Sequence, residues 1–271
     1  MVTTAEKRAT FRALHADGCF VIPNPWDAGS AFALQNLGFK ALASTSSGMA
    51  WSMAMADNRV GRAAVLAHLT DLAAAVDIPL NADFEGGFAD DPDGVAASVA
   101  LCIETGVAGL SIEDSTGDAK APLYDFTLAV ERIAAARATI GESGVLLTGR
   151  AEGFIAGRPD MDDVVRRLVA YGEAGADCLY APGIRTEIEI ATVVRAVAPK
   201  PVNVLAPGLS VATLADLGVR RISVGGALAR TAWGEFLRAA REIADTGEFT
   251  AFSKAAKGSE LNALFAARSG A

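Results

Sequence analysis

The segment ETGVAGLSIED (residues 104–114) contains the end of a helix, a turn and a strand that runs into two carboxylates. Gly106 stands where a helix can end in a left-handed cap, and the apolar run after it has the length of a buried strand. Similar phrases precede three other apolar runs: NLGFKAL (36–42), EAGADCL (173–179) and DLGVRRI (216–222). This recurrence predicts helices and strands that alternate along the chain, which is typical of parallel α/β proteins.

Eight short apolar runs follow this pattern, and each is followed by a polar or glycine-containing turn. They are CFVIP (19–23), KALAS (40–44), PLNADF (79–84), AGLSIE (108–113), VLLTG (145–149), DCLYA (177–181), PVNVL (201–205) and RISVG (221–225). Eight strand–helix units in about 250 residues are the number and size of a (β/α)8 TIM barrel. A doubly wound sheet is the alternative, but no GxGxxG follows the first strand. We therefore predict one α/β barrel domain over residues 1–271.

Composition excludes several classes of function. The chain has 271 residues, 51% of them hydrophobic, and its 24 basic and 32 acidic residues give a net charge of −8. This balance argues against nucleic acid or an anionic membrane as the main partner. The polar N-terminus does not resemble a signal peptide, and no apolar run reaches the roughly 18 residues of a membrane helix. Cys19, Cys102 and Cys178 are isolated, so we expect free thiols and a cytoplasmic protein.

Residues 239–271 form a C-terminal extension beyond the eight units. The segment predicts one helix, a break and at least one further helix, with an apolar face that needs cover. That face comprises Phe249, Phe252, Leu261, Leu264 and Phe265. We expect this extension to pack on a neighbouring subunit of a homo-oligomer, either a dimer or a tetramer.

Carboxylates follow adjacent predicted strands at the end where TIM barrels carry their active sites. Asp83 and Glu85 follow the third strand, Glu113 follows the fourth, and Asp57 lies in the loop after the second. Such a group repels itself unless a cation lies within it, and oxygen ligands suit Mg²⁺ or Mn²⁺. Asp83 is the best direct ligand because it lies within the strand end. The alternative is that the acids are helix caps, which fits Asp90, Asp91 and Asp93 well.

Arg150 closes the fifth strand and suits a bidentate grip on a carboxylate; a structural salt bridge to the acids is the alternative. Candidate substrate contacts lie after other strands, where side chains or backbone N–H groups could meet an anionic oxygen. They are Trp26, Asp27, Ser46, Ser47, Gly48, Met49 and Asn203. The two histidines, His15 and His68, fall in predicted helices, and no lysine ends a strand. A Ser-His-Asp triad, a histidine-ligated zinc site and a Schiff-base aldolase are therefore not favoured.

These residues resemble the isocitrate lyase/phosphoenolpyruvate mutase superfamily over nearly the whole chain. The motifs are NPWDAGSA (24–31), STSSGMAWSMAMAD (44–57), NADFEGGF (81–88), GLSIEDS (109–115), ERIAAAR (131–137) and TGRAEGF (148–154). The resemblance implies a (β/α)8 barrel, a divalent metal and a 2-oxo acid or its enolate as ligand. It places Asp83 as the direct metal ligand with Asp57, Glu85 and Glu113 acting largely through water. It also implies oxo-acid binding by Ser47–Met49 and Arg150, and C-terminal helices exchanged between subunits.

The loop after the fourth strand departs from the family's best known members. Isocitrate and methylisocitrate lyases carry a KKCGH-type catalytic loop, whereas this chain reads EDSTGDAKAPLYD (113–125). Lys120 and Tyr124 are the remaining candidates in this loop for a proton donor. A separate segment, PVNVLAPG (201–208), resembles the carboxyvinyl-carboxyphosphonate phosphorylmutase-like branch of the family. We predict a Mg²⁺-dependent enzyme that acts on a small 2-oxo acid through an enolate, as a carbon–carbon lyase or decarboxylase. The first alternative is a phosphonomutase or a hydrolase of a phosphorus–carbon bond. The second alternative is a non-catalytic barrel that binds an oxo acid.

Overall fold

The structure, a computed structural model, describes residues 2–206 and 208–269. Met1, Pro207 and residues 270–271, which belong to the predicted domain and its motifs, lie outside this part of the chain. The strands are β1 Phe20–Ile22, β2 Leu42–Ala43, β3 Leu80–Asp83, β4 Gly109–Glu113, β5 Leu146–Arg150, β6 Cys178–Tyr180, β7 Val202–Leu205 and β8 Arg221–Ser223. The helices are α1 Thr4–Ala16, α2 Ala28–Asn36, α3 Ser46–Ser52, α4 Arg62–Ala75, α5 Pro92–Glu104, α6 Phe126–Ile140, α7 Met161–Glu173, α8 Glu187–Val197, α9 Val211–Asp216, α10 Ala227–Thr246 and α11 Gly258–Ser269.

The eight strands form one parallel sheet in the order β1-β8-β7-β6-β5-β4-β3-β2. The two outer strands meet where the Ala43 N–H donates to the Pro23 carbonyl at 3.1 Å, which nearly closes the barrel. Glu113 pairs with Arg150 across β4 and β5, so their side chains emerge side by side at the carboxyl end. The predicted (β/α)8 barrel is confirmed, and each strand lies inside its predicted run except β5, which extends one residue further, to Arg150.

The repeated glycines end helices as predicted. Gly38, Gly106, Gly175 and Gly218 have φ of 89°, 88°, 103° and 86°, and each precedes β2, β4, β6 or β8. A side chain is unfavourable at these angles, so glycine lets the chain reverse from helix into strand within a few residues.

The barrel interior is apolar at the amino end of the strands and polar above it. Helix α1 closes the amino end with Phe11, which packs with Ile22 and Leu146. The next layer consists of small or polar side chains rather than the bulky aliphatic residues usual in such barrels. It contains Asn81, Ser111, Thr148, Asn203, Arg221 and Ser223, all buried. The interior therefore leads upward into a polar mouth.

The C-terminal extension is helical, as predicted, although α10 runs without a break through residue 239. A 3₁₀ turn, Thr250–Lys254, separates α10 from α11. Phe236 of α10 is 59% exposed, and Phe265 of α11 packs against Phe32 of α2 with ring centroids 6.3 Å apart. Over the described ranges, every helix is too short or too polar to cross a lipid bilayer.

Candidate active site

Asp83 lies at the carboxyl end of β3, and its carboxylate is held from two sides. Oδ2 accepts a hydrogen bond from the Ser46 N–H at 2.9 Å, and Oδ1 accepts one from Arg150 Nη1 at 2.7 Å. The Asp83 N–H donates to Ser44 Oγ at 2.8 Å, which fixes the strand end itself. Each carboxylate oxygen keeps a second lone pair, so Asp83 can still bind a further group.

Arg150 lies at the centre of the mouth, where its guanidinium meets three carboxylates. Nη1 lies 2.7 Å from Asp83, Nη2 lies 3.1 Å from Glu113, and Nε lies 2.9 Å from Glu152. Burial lowers the pKa of Arg150, but Glu152, Glu113 and Asp83 raise it well above its usual range. These contacts use one N–H on each nitrogen, so two of the five N–H groups, on Nη1 and Nη2, can still bind a ligand.

Glu113 and Glu152 are buried carboxylates that share this guanidinium. Burial raises the pKa of Glu113 well above its usual range; Arg150 lowers it, and Glu152 and Asp83 raise it further. Burial likewise raises the pKa of Glu152, against the opposing charge of Arg150. One guanidinium therefore does not fully balance the three acids, and a carboxyl group here can hold a proton.

Glu85 shows the excess of negative charge on the other side of Asp83. Burial, followed by the charges of Asp83 and Asp57, raises the pKa of Glu85 to about 7, although Arg150 lowers it. Asp57 is exposed in its loop, where it accepts a hydrogen bond from the Asn58 N–H at 3.1 Å. A divalent cation would relieve this repulsion, and a donor set made only of oxygen suits Mg²⁺. The residues present therefore fit such an ion.

The spacing of these acids leaves room for water around an ion. Across residues 2–206 and 208–269, no three His, Cys, Asp or Glu side chains approach closely enough to form a ready-made ligand set. Mg²⁺ usually keeps several of its waters and binds few carboxylates directly. The spacing is compatible with one direct ligand, Asp83, and with Asp57, Glu85 and Glu113 acting through water.

The predicted oxo-acid-binding turn forms the first turn of α3. The Gly48 N–H donates to the Thr45 Oγ1 cap at 3.4 Å, and the Met49 N–H donates to the Thr45 carbonyl at 3.1 Å. Ser47 Oγ lies 3.1 Å from Thr45 Oγ1. Because several of these groups already have partners within the helix, the turn offers an anion fewer N–H groups than its sequence indicates. A Cβ on Gly226 would lie 2.6 Å from Ser47 Oγ, so this glycine serves close packing.

Three other predicted substrate contacts have local partners. Asp27 is exposed and caps α2, where its carboxylate accepts a hydrogen bond from the Ser30 N–H at 2.6 Å. Trp26 lines an apolar cavity of about 230 Å³ beside α10. Asn203 is buried inside the barrel; its Nδ2 donates to Ser223 Oγ, and its Oδ1 accepts from Arg221 Nε. Asn203 does line a small interior cavity of about 50 Å³ that also borders Asp83 and Arg150.

The two candidate proton donors differ sharply in position. Lys120 is exposed at the tip of a short hairpin, where its N–H donates to Asp118 Oδ1. Tyr124 lines a cavity of about 320 Å³ together with Glu85 and Glu113, and its hydroxyl donates to Asp90 Oδ1 at 2.5 Å. Burial and the bond to Asp90 raise the pKa of Tyr124 to about 12, so the phenol keeps its proton at neutral pH. The structure brings Tyr124, and not Lys120, to the acids.

Three residues at the site could not be assigned from the sequence. Asp90 fits a helix cap by its position, but it accepts the hydrogen bond from Tyr124, whereas Asp91 caps α5. His68 of α4 borders a cavity of about 10 Å³ beside Asp83, and its Nε2 is buried without a hydrogen-bond partner in the described chain. Asp114 is turned away from the mouth, and its carboxylate anchors the Glu152 N–H at 2.8 Å. Contacts of this kind depend on which helix face packs against which loop. The spacing of the acidic residues along the sequence was therefore the one signal that could have pointed to them.

Comparison with known proteins places this fold and site in a known class of enzymes. A family profile for phosphoenolpyruvate phosphomutase matches residues 11–244. An uncharacterised protein of Mycobacterium tuberculosis is 34% identical over 240 residues, which cover 87% of this chain and 89% of the relative. A crystal structure described as a lyase or mutase from Burkholderia cenocepacia J2315 superimposes with a TM-score of 0.94 at 50% identity, covering 97% of this chain and 96% of the other. Phosphonopyruvate hydrolase, crystallised with oxalate and Mg²⁺, gives a TM-score of 0.87 at 25% identity over 99% and 96% of the two chains.

The fold and the acid-lined mouth are thus those of a barrel in the isocitrate lyase/phosphoenolpyruvate mutase superfamily. Within it, the chain belongs to the phosphoenolpyruvate phosphomutase family. That superfamily contains lyases, decarboxylases, hydrolases and mutases, so membership indicates an enzyme without selecting one reaction.

Proposed function

We propose that this protein is a Mg²⁺-dependent enzyme that acts on a small 2-oxo carboxylic acid through an enolate, as a carbon–carbon lyase or decarboxylase. The observation that carries the proposal is the arrangement around Arg150. Three carboxylates converge on one guanidinium, while Glu85 and Asp57 add negative charge that it does not balance. This arrangement supports the binding of a cation together with an anionic ligand.

Each part of the mouth has a distinct role in this proposal. Asp83 would hold the ion directly, and Glu85, Glu113 and Asp57 would hold it through water. Mg²⁺ bound there would supply a Lewis acid for the 2-oxo oxygen. The remaining N–H groups on Nη1 and Nη2 of Arg150 form a planar fork that matches a substrate carboxylate. Ser47, Gly48 and Met49 would border the same carboxylate.

Proton transfer is assigned to groups that lie beside the 320 Å³ cavity. Tyr124 carries a proton at neutral pH, and the raised pKa of Glu113 lets that carboxyl accept or return one. Both residues line this cavity, where the fragment that leaves as the enolate forms would lie. We assign no chemical role to Lys120 because it is exposed on its hairpin.

Phosphorus–carbon chemistry is the second candidate. It is favoured by the similarity to phosphonopyruvate hydrolase, since a phosphonate analogue of the same enolate would use the same metal and arginine. Product analysis separates the two, because either inorganic phosphate or an isomeric phosphate ester formed from phosphonopyruvate identifies the second reaction. Loss of CO₂ or of an aldehyde fragment identifies the first.

The test of the binding site uses oxalate, a planar mimic of the enolate, and isothermal calorimetry with and without Mg²⁺. We expect oxalate to bind only with Mg²⁺, and Asp83→Ala to abolish this binding in a folded protein. Asp91→Ala is the matched control because Asp91 caps α5 through the Gly94 N–H at 2.8 Å. Equal effects of the two substitutions would overturn the assignment of Asp83.

We further propose that the protein is a homo-oligomer, and specifically a tetramer, in which the extension packs on another subunit. Helix α10 has Ala229 as its only buried side chain within the described residues. Phe236, Phe249 and Phe252 are 59%, 59% and 54% exposed, a patch that monomers rarely leave uncovered. A second copy of the chain, exchanging these helices, would bury it.

We also place the enzyme in the cytoplasm. Cys102 and Cys178 are buried and Cys19 is half-buried, all as free thiols. Free thiols of this kind are usual in a reducing compartment.

A further inference from the structure

Arg132 of α6 carries a buried guanidinium that binds backbone carbonyl groups. The residue is 1% exposed. Nη1 donates to the Glu113 carbonyl at 3.2 Å, and Nη2 donates to the carbonyls of Gly86 and of Ala89, the latter at 3.0 Å. The guanidinium also lies over the Tyr124 ring, with Cζ 3.8 Å from the centroid. One side chain therefore joins the loop after β3, the end of β4 and the candidate proton donor.

The loop that Arg132 binds has an unfavourable backbone conformation. Glu85, Gly87 and Phe88 have φ of 47°, 77° and 57°, in the left-handed region. Glycine adopts this region freely, but Glu85 and Phe88 carry side chains that disfavour it. Such angles persist only where surrounding contacts enforce them, and they are concentrated at functional sites. Glu85 is one of the acids at the mouth, so its position depends on this turn.

The contacts of Arg132 are placed to enforce that conformation. The Gly86 carbonyl lies inside the turn, and the Ala89 carbonyl lies directly after it. The Glu113 N–H donates to the Glu85 carbonyl at 3.1 Å, so the turn and the end of β4 are also joined to each other. A Cβ on Gly86 would lie 3.2 Å from Nη2 of Arg132, so the absence of a side chain there permits the close approach.

We propose that Arg132 is a positioning residue that holds the Glu85–Phe88 turn in its left-handed conformation and thereby sets Glu85 and Glu113 at the distances the site requires. The proposal rests on the proposed function for its ligand, but the clamp itself is a property of the backbone. The simpler role is packing support for α6, which would affect global stability without acting on the turn.

The test compares Arg132→Lys with Arg137→Lys on the same helix. Arg137 contacts Asp177 at 3.1 Å, and its Nη2 donates to the Gly141 carbonyl at 2.7 Å, away from the mouth. A lysine at 132 keeps the charge but cannot reach carbonyls on three segments at once. We expect faster amide exchange at Gly87 and Glu113, measured by NMR, and weaker calorimetric binding of oxalate with Mg²⁺. Loss of one charged hydrogen bond corresponds to about a tenfold or greater change in either quantity.

Arg137→Lys should leave both quantities unchanged. Unchanged exchange at Gly87 and Glu113 in Arg132→Lys would overturn the clamp, and so would altered exchange with unchanged oxalate affinity. If Arg132→Lys does not fold, Gly86→Ala decides, since its Cβ would lie 3.2 Å from Nη2 and so press on this contact while the arginine is kept. We expect it to change exchange and affinity in the same direction, and normal values of either would overturn the proposal.

Failure of the proposed function would show differently. If the unmodified protein binds no oxalate with Mg²⁺, that function is wrong, and the clamp is then decided by amide exchange and by the affinity for Mg²⁺ alone.

Discussion

Replacement of Arg150 by lysine tests whether the central arginine both organises the acids and binds substrate. The sequence presents these roles as alternatives, but the structure permits both. Three N–H groups meet Asp83, Glu113 and Glu152 at 2.7, 3.1 and 2.9 Å, and two remain for a ligand. A lysine ammonium is a point charge at the end of a flexible chain and cannot reproduce this planar fork.

The expected magnitude follows from these contacts. The Arg150 side chain is 14% exposed, so solvent screens its ion pairs only weakly. A hydrogen bond to a charged group contributes about 1.5–3 kcal/mol, and lysine would lose at least one. The carboxyl group left without a partner can take up a proton, as the raised pKa of Glu113 indicates. We therefore expect the loss of stability to be close to that of a single hydrogen bond. The free energy of unfolding should therefore fall by about 1.5–3 kcal/mol.

The same substitution should weaken oxo-acid binding in addition. Loss of one charged contact to a ligand carboxylate lowers affinity about 10- to 150-fold. The assays are urea unfolding and calorimetry with oxalate at saturating Mg²⁺. Arg166→Lys is the control, because Arg166 is a surface arginine with one carboxylate partner, Asp163, at 2.6 Å. Normal oxalate affinity in Arg150→Lys would refute the substrate grip, and an unchanged free energy of unfolding would refute the role of its ion pairs.

Three further predictions concern the proton donor, the assembly and the response to acid. Tyr124→Phe should lower turnover by about 10²- to 10⁴-fold with oxalate affinity nearly unchanged, whereas Lys120→Ala should leave turnover as it is; equal turnover in both would contradict this role. Light scattering should show an oligomer at micromolar concentration that Phe236→Asp with Phe252→Asp dissociates, and a monomeric unmodified chain would reject the assembly. Burial, with Arg221 adding to it, lowers the pKa of His15 from 6.5 to about 3, so the unfolded state binds the proton first as pH falls. Between pH 6.5 and about pH 3 the free energy of unfolding should fall by about 1.4 kcal/mol per pH unit more than in His15→Gln. Identical pH profiles of the two proteins would rule out His15 as a cause of acid unfolding.

The fold could be predicted because its signals are local. Each strand is a short apolar run, and left-handed glycines such as Gly106 and Gly175 end the preceding helices. Eight repeats of this local pattern leave few topologies, because parallel strands need right-handed crossovers. The extension was predicted to begin at residue 239, but this residue lies inside the continuous helix α10. The sequence at this point fits a helix interior as well as a helix end.

The candidate site could be predicted only as far as topology carries it. Strand ends meet at one mouth of a barrel, so the proximity of Asp83, Glu113 and Arg150 followed from their places in the sequence. The contacts of Arg132 and His68 did not follow, because they depend on which helix face packs against which loop. No residue type marks the left-handed conformation of Glu85 either, since glutamate is not a residue that favours it.

The mouth of the barrel contains two destabilising features, charge repulsion and an unfavourable backbone conformation, which contacts elsewhere in the molecule offset. The chain keeps several carboxylates near one guanidinium, and it holds Glu85 in an unfavourable backbone conformation. Separate anchors oppose these costs: the Ser46 N–H on Asp83, the carbonyl contacts of Arg132, and the grip of Arg167 on Asp114 at 3.2 Å. Acids that only cap helices, as Asp91 does, do not need such additional contacts. A bound cation and anion would relieve the repulsion that the anchors oppose, and their binding would then stabilise the folded barrel.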